Sequence, residues 1–179
     1  MRFLFTTLYI IAHGLCLAED LPGNQKKAGK LTVQEAAELV EKANASDSGQ
    51  FKLDIKWLTL IDRDVARELS YYKGQYITLD GLTSINKDVA QGLAQFKGRG
   101  LTLGGLTSID KDVAQELAKC KGRLFLSGLT SIDKDVAQEL AKYEGVNLSL
   151  GGLTSIDKDV AQELAQFKGR GLTLGGLTS

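Results

Sequence analysis

The chain has 179 residues, and its 22 Lys+Arg are matched by 22 Asp+Glu, with one His, one Pro and two Cys. A balanced chain with no basic run along its sequence is a poor binder of nucleic acid or anionic membrane. The lone histidine, His13, sits in an apolar leader, so the rest of the chain has no histidine for a catalytic triad or a zinc site.

Met1 to Ala18 combines Arg2, an apolar stretch from Phe3 to Leu17, and Cys16-Leu17-Ala18 ahead of Glu19-Asp20. That is the layout of a secretory signal peptide over residues 1–18, cleaved after Ala18. The apolar stretch of about 15 residues is short of the roughly 20 that span a bilayer; an uncleaved anchor is the alternative. Cys16 is poorly set for lipid attachment, because Leu15 stands where Gly, Ala or Ser is needed. Cleavage leaves only Cys120, which excludes an intramolecular disulfide. The expected location is secreted, periplasmic or in the cell envelope.

Residues 19–30 are polar and contain Pro22, as a linker does. Thr32-Val33-Gln34-Glu35 has the spacing of a capping box and opens an amphipathic helix to about Ala43. Aligning Thr32 with Asn86 places Leu31 on Ile85, Ala36 on Ala90 and Leu39 on Leu93. Residues 31–52 therefore read as a degenerate half-repeat, an N-terminal cap over the first open face of a stack.

From Leu53 the chain repeats one 24-residue unit: Leu53–Tyr76, Ile77–Gly100, Leu101–Arg123 (one residue short), Leu124–Asn147 and Leu148–Gly171, with a sixth begun at Leu172. A period in this range signals a solenoid whose units bury their apolar faces only against neighbours. Leu101-Thr102-Leu103 alternates with the period of two of a short strand. From Asp110 the pattern turns helical, with Val113, Ala114, Leu117, Ala118 and Cys120 on one side and Lys111, Gln115, Glu116 and Lys119 facing water. Asp110 is the expected N-cap and Gly122 the expected left-handed C-terminal residue, bounding a helix of about 11 residues. The fold class is α/β, a right-handed solenoid of parallel strands and helices over residues 53–179. Valines 65, 89, 113, 136 and 160 and leucines 69, 93, 117, 140 and 164 form its core ladders. A larger slot holds Tyr72, Phe96, Cys120, Tyr143 and Phe167. Cys120, sharing a slot with aromatics, reads as a buried small hydrophobe.

The L-T-L-x-G-L-T-S-I-D unit resembles the short leucine-rich repeats found in tandem in bacterial secreted and envelope proteins. The resemblance covers about two thirds of the chain. It departs from the common repeat at Leu82, Leu106, Leu129 and Leu153, where that repeat carries Asn. The Thr-Ser pairs can take over the bonding to loop carbonyls that the Asn would supply. The resemblance implies protein or glycan partners.

Few residues suggest chemistry. The Gly-Gly pairs at 104–105, 151–152 and 175–176 lack the sequence of a phosphate loop or a calcium repeat and read as tight turns. Asp110-Lys111-Asp112 suits helix capping, since Lys between two carboxylates opposes Ca²⁺. Thr59, Thr83, Thr107, Thr130, Thr154 and Thr178 form a hydroxyl row that either stabilises turns or orders water. Trp57 replaces the glycine of later copies; it either packs under the cap or offers a binding aromatic. No cofactor, metal, small-molecule substrate or enzymatic activity is expected.

What remains is the outer face of the strands, concave and available in curved solenoids. Its candidate binding residues are Asp54, Thr78, Asp80, Thr102, Phe125, Ser127, Ser149 and Thr173. Phe125 alone is large and apolar among Thr, Ser and Gly. Against a finely tuned site, Ala94–Ser108 and Ala165–Ser179 are identical over 15 residues. The expectation is a secreted interaction module, or else a structural spacer of the cell envelope. With no polar cap after Leu172-Thr173-Leu174, the chain is expected either to self-associate through its C-terminal end or to be a fragment of a longer array.

Overall fold

Each unit folds into one strand and one helix because its apolar spacing switches once, from two to about 3.6. The computed structural model describes residues 29–45 and 52–178. The expected signal peptide, the expected linker up to residue 28, residues 46–51 and Ser179 lie outside the described residues. In chain order the elements are α1 (Val33–Ala45), β1 (Lys52–Asp54), α2 (Arg63–Ser70), β2 (Tyr76–Thr78), α3 (Lys87–Leu93), β3 (Gly100–Thr102), α4 (Lys111–Leu117), β4 (Arg123–Phe125), α5 (Lys134–Leu140), β5 (Asn147–Ser149), α6 (Lys158–Leu164) and β6 (Leu172–Thr173). The strands form one open parallel sheet in sequence order, with Leu53, Ile77, Leu101, Leu124, Leu148 and Leu172 in a single register row. Each helix packs on the next, α1 on α2 included. The protein is thus an α/β tandem-repeat solenoid with a helical N-terminal cap. Among the described residues, no helix is long and apolar enough to cross a membrane.

Helix starts follow the sequence closely. Asp62, Asn86, Asp110, Asp133 and Asp157 are N-caps with extended backbone, and each side chain accepts from the backbone N–H of the valine three residues on. Each cap is worth about 1 kcal/mol. Their neighbours also tie coil to coil: Lys87, Lys111 and Lys134 reach Asp112, Asp135 and Asp159 of the next coil at 3.5–3.8 Å. These exposed pairs contribute little each, yet they give the Asp-Lys-Asp pattern a structural role at both carboxylates.

Helix ends differ from expectation. The helices after α1 span seven or eight residues rather than eleven. After Leu117 the chain tightens, with Lys119 N–H donating to Glu116 O and Cys120 N–H to Leu117 O, both at 3.1 Å. These i→i−3 bonds satisfy carbonyls that a longer helix would have used. Gly122 is not left-handed, since Gly29 is the only described glycine with positive φ. It is glycine because a Cβ there would stand 2.7 Å from the carbonyl oxygens of Gly98 and Arg99 in the preceding coil.

Glu116 is a second correction. The helical wheel turns it to water, but it and Glu139 are buried, their carboxylates held by Lys119 at 2.6 Å and Lys142 at 2.8 Å. The equivalent Gly92 shows why: a Cβ there would meet Ala66 Cβ and the backbone of Arg67. That flank of the helix looks onto the preceding helix, so stacking covers a position that a lone amphipathic helix would expose.

The ladder assignments hold through the interior: the Val and Leu rows are buried, and Leu58, Leu82, Leu106, Leu129 and Leu153 are fully enclosed. The leucines in place of Asn therefore add apolar core. The turns before them close through backbone bonds, for example Leu106 N–H to Leu103 O at 3.2 Å. In the larger slot Tyr72 stacks on Phe96 at 6.4 Å and Tyr143 on Phe167 at 6.1 Å, with Cys120 between the two pairs. Burial pushes the Cys120 thiol up to about 12, so at neutral pH it is a protonated filler.

The cap repeats the logic of a coil. Thr32 and Glu35 bond reciprocally, Glu35 N–H to Thr32 Oγ1 at 3.3 Å and Thr32 N–H to Glu35 Oε2 at 2.8 Å. Leu31, Ala36 and Leu39 are buried. Thr59 N–H donates to Gly29 O at 2.9 Å, just as Thr178 N–H donates to Thr154 O one full repeat apart. Gly29 thus occupies the threonine position of a missing coil, in agreement with the half-repeat alignment.

Candidate functional site

Alternation in the strands sends three rows of side chains to the outer face of the sheet. The middle row is Asp54, Thr78, Thr102, Phe125, Ser149 and Thr173. Two residues later along each strand come Lys56, Asp80, Gly104, Ser127, Gly151 and Gly175. Two residues earlier come Lys52, Tyr76, Gly100, Arg123, Asn147 and Gly171.

The predicted face is brought together in these rows, but not all of it is available. Thr78 is fully enclosed and Ser149 is buried, so neither can be touched by a partner without rearrangement. Asp54 is held between Lys52 and Lys56, both at 3.4 Å. Asp80 has a structural task, its Oδ1 accepting from Gly104 N–H at 2.8 Å in the next coil. Phe125 and Thr102 are half-buried, whereas Ser127 and Thr173 are exposed. The accessible centre is Phe125, with small residues on either side of it in its row.

Thr78 is unusual for a second reason. Its Oγ1 is buried without a hydrogen-bond partner among the described residues. An unpaired buried hydroxyl costs about 1–3 kcal/mol, and Val keeps the shape and strand preference while removing it. Thr78→Val is therefore expected to raise the urea midpoint, by roughly 1 kcal/mol of stability. A fall in the midpoint would show that the hydroxyl is satisfied in solution.

Comparison of coils also points to residues that the sequence reading passes over. Tyr76, Arg123 and Asn147 interrupt a row that is glycine at 100 and 171. The Tyr76 ring lies over Gly100, where a Cβ would come within 2.8 Å of it, and its hydroxyl accepts from Arg123 Nη1 at 3.4 Å. The signal is the one that singles out Phe125: a large side chain in a row that is small elsewhere.

The remaining candidates take structural places. The second glycine of each pair stacks on the preceding coil, a Cβ at Gly105 falling 2.0 Å from Asp80 O. Trp57 stands in that row in the first coil, before which the described residues hold no full coil; it is partly buried against the core, its Nε1 without a partner among the described residues. In the threonine row, the hydroxyl bonds among the described residues are those of Thr59 to Gly29 O and Thr178 to Thr154 O. The turn work expected of that row falls mainly to the backbone. Among the described residues no three His, Cys, Asp or Glu side chains gather as a metal ligand set. No protein-family model matches the sequence, and no curated protein matches it.

Proposed function

We propose that the chain is a secreted or envelope-associated, leucine-rich-repeat-like binding module, not an enzyme, that holds a protein or glycan partner on its outer strand face. The observation that carries this reading is Phe125, an aromatic left part-exposed in a row otherwise filled by Asp, Thr and Ser. Aromatic side chains of this kind are the usual anchors of interfaces. Arg123 and Ser127, both exposed, flank it on the same strand and offer polar bonds at its rim. Export by cleavage after Ala18 is part of the proposal. So is self-association, since among the described residues β6 is an outer strand of the sheet and its edge can template another strand.

The test is capture from native extracellular fluid or envelope extract on immobilised wild-type and Phe125→Ala protein. The binding reading expects a retained partner whose capture falls by about tenfold or more in the variant. A structural spacer retains no partner, so absence of capture by the wild type favours that alternative, whereas equal capture by the two proteins places binding away from Phe125.

A further inference from the structure

The short third repeat changes more than its length. In the loops before the strands, Gln75, Arg99, Val146 and Arg170 occupy one row, stepping from coil to coil. The third repeat ends Lys121-Gly122-Arg123-Leu124 where the second ends Lys97-Gly98-Arg99-Gly100-Leu101. Register pairs Arg123 with Gly100, so this coil has no counterpart of Arg99. The row loses one member. Arg99 and Val146 then stand two coils apart, about 10 Å by the spacing of strands, with only Gly122 between them.

The gap is a notch of about 430 Å³ lined by Tyr76, Lys97, Arg99, Lys121, Arg123 and Val146 over the backbone of Gly98 and Gly122. Its floor is fixed: Arg123 N–H donates to Arg99 O at 2.7 Å and Val146 N–H to Gly122 O at 2.8 Å. The Tyr143 hydroxyl donates to Gly122 O from below. Four cations therefore converge on one depression in a chain of balanced charge, although no basic run exists in the sequence. Lys97, Arg99 and Arg123 have no ion pair among the described residues; Lys121 pairs with Glu144 at 3.3 Å on the rim.

We infer that this notch is a binding site for a short acidic peptide segment of a protein partner. Two guanidinium groups offer the forked donors that match carboxylates. Val146, 40% exposed, and the Tyr76 ring supply apolar walls for the methylene stems of glutamate side chains. A long polyanion fits less well. The positive row is interrupted by Glu144 and Val146 before Lys168 and Arg170 resume it, so a nucleic acid or sulfated glycan would have to cross a carboxylate. The site goes beyond the Phe125 reading: it shares Tyr76 and Arg123 with the outer strand face, but its cavity and its other cations, Lys97, Arg99 and Lys121, lie in the loops before the strands, and Phe125 does not line it.

Fluorescence anisotropy of a labelled hexaglutamate peptide at low ionic strength tests the inference on the full chain. Saturable binding is expected, weakened by about tenfold or more in the Arg99→Gln/Arg123→Gln double variant. Lys168→Gln/Arg170→Gln should leave it unchanged. The decisive variant inserts a glycine between Arg123 and Leu124. It restores the 24-residue unit, keeps all four cations and fills the notch, so it too should weaken binding by about tenfold. Circular dichroism of both variants checks that the array is intact, and the double variant alone decides the case if the insertion unfolds. Absence of binding to the wild type overturns the proposal. So does undiminished binding by a folded insertion variant, which would assign the effect to diffuse charge. Tighter binding of a heparin oligosaccharide or a single-stranded oligonucleotide than of hexaglutamate also overturns it.

Discussion

Gly152→Ala is expected to cost on the order of 3 kcal/mol, whereas Gly151→Ala, one residue earlier, should be neutral or slightly stabilising. The two glycines share a turn, yet their surroundings are opposite. A Cβ at 152 would stand 2.1 Å from Ser127 O and 2.7 Å from Leu129 O, both backbone atoms of the preceding coil. Those carbonyls belong to a stacked turn, so relief requires the whole coil to move. A Cβ at 151 meets nothing nearer than Ser149 Oγ at 3.8 Å. Neither residue has positive φ, so alanine at 151 keeps its backbone and gains about 0.4–1 kcal/mol by restricting the unfolded chain. Urea denaturation of the two variants reads the difference. Equal effects would show that both glycines serve the turn itself rather than the stack.

The same glycine row shows where sequence reading succeeds and where it stops. Features that depend on one coil are legible. The N-caps, the buried Val and Leu positions, the strand alternation and the capping box at Thr32 all follow from spacing within a single unit. Features that depend on the approach of the neighbouring coil are not. Spacing assigns Gly122 to a helix end, but its need is a carbonyl of the coil before it. The helical wheel assigns Glu116 to water, because it sees one helix and not the helix stacked against its flank. Alternation places Thr78 on an open face, although its neighbours in the sheet enclose it. The basic notch escapes for a related reason. Its cations lie in two successive units and meet only when the coils stack. The one-residue deficit is visible in the sequence; the missing row member that opens the notch is not. Comparison between copies is the most informative signal, and applying it to the row of Tyr76, Arg123 and Asn147 finds the rest of the outer face.

Leu117→Ala should destabilise the array by roughly 2–5 kcal/mol, and its neighbour Glu116→Ala by only about 1 kcal/mol. Leu117 is fully enclosed in α4, with Leu93 and Leu140 at the equivalent points of the flanking coils. Truncation there removes apolar area and leaves a cavity that a rigid stack cannot collapse. Because each coil is held only by its neighbours, a hole in the middle coil weakens two interfaces at once. Glu116 is also buried, so its loss is felt more than that of a surface residue. Its stem packs against the preceding helix while Lys119, still largely exposed, can be resolvated when its partner goes. No uncompensated buried charge remains, and the cost stays small. Position in the array should grade the leucine effect as well. Leu164→Ala in α6 has a helix on one side only among the described residues, and it should cost less than Leu117→Ala in the same urea series. Equal losses in Leu117→Ala and Glu116→Ala would contradict the helix phase. A larger loss at Leu164 than at Leu117 would contradict the nearest-neighbour origin of stability.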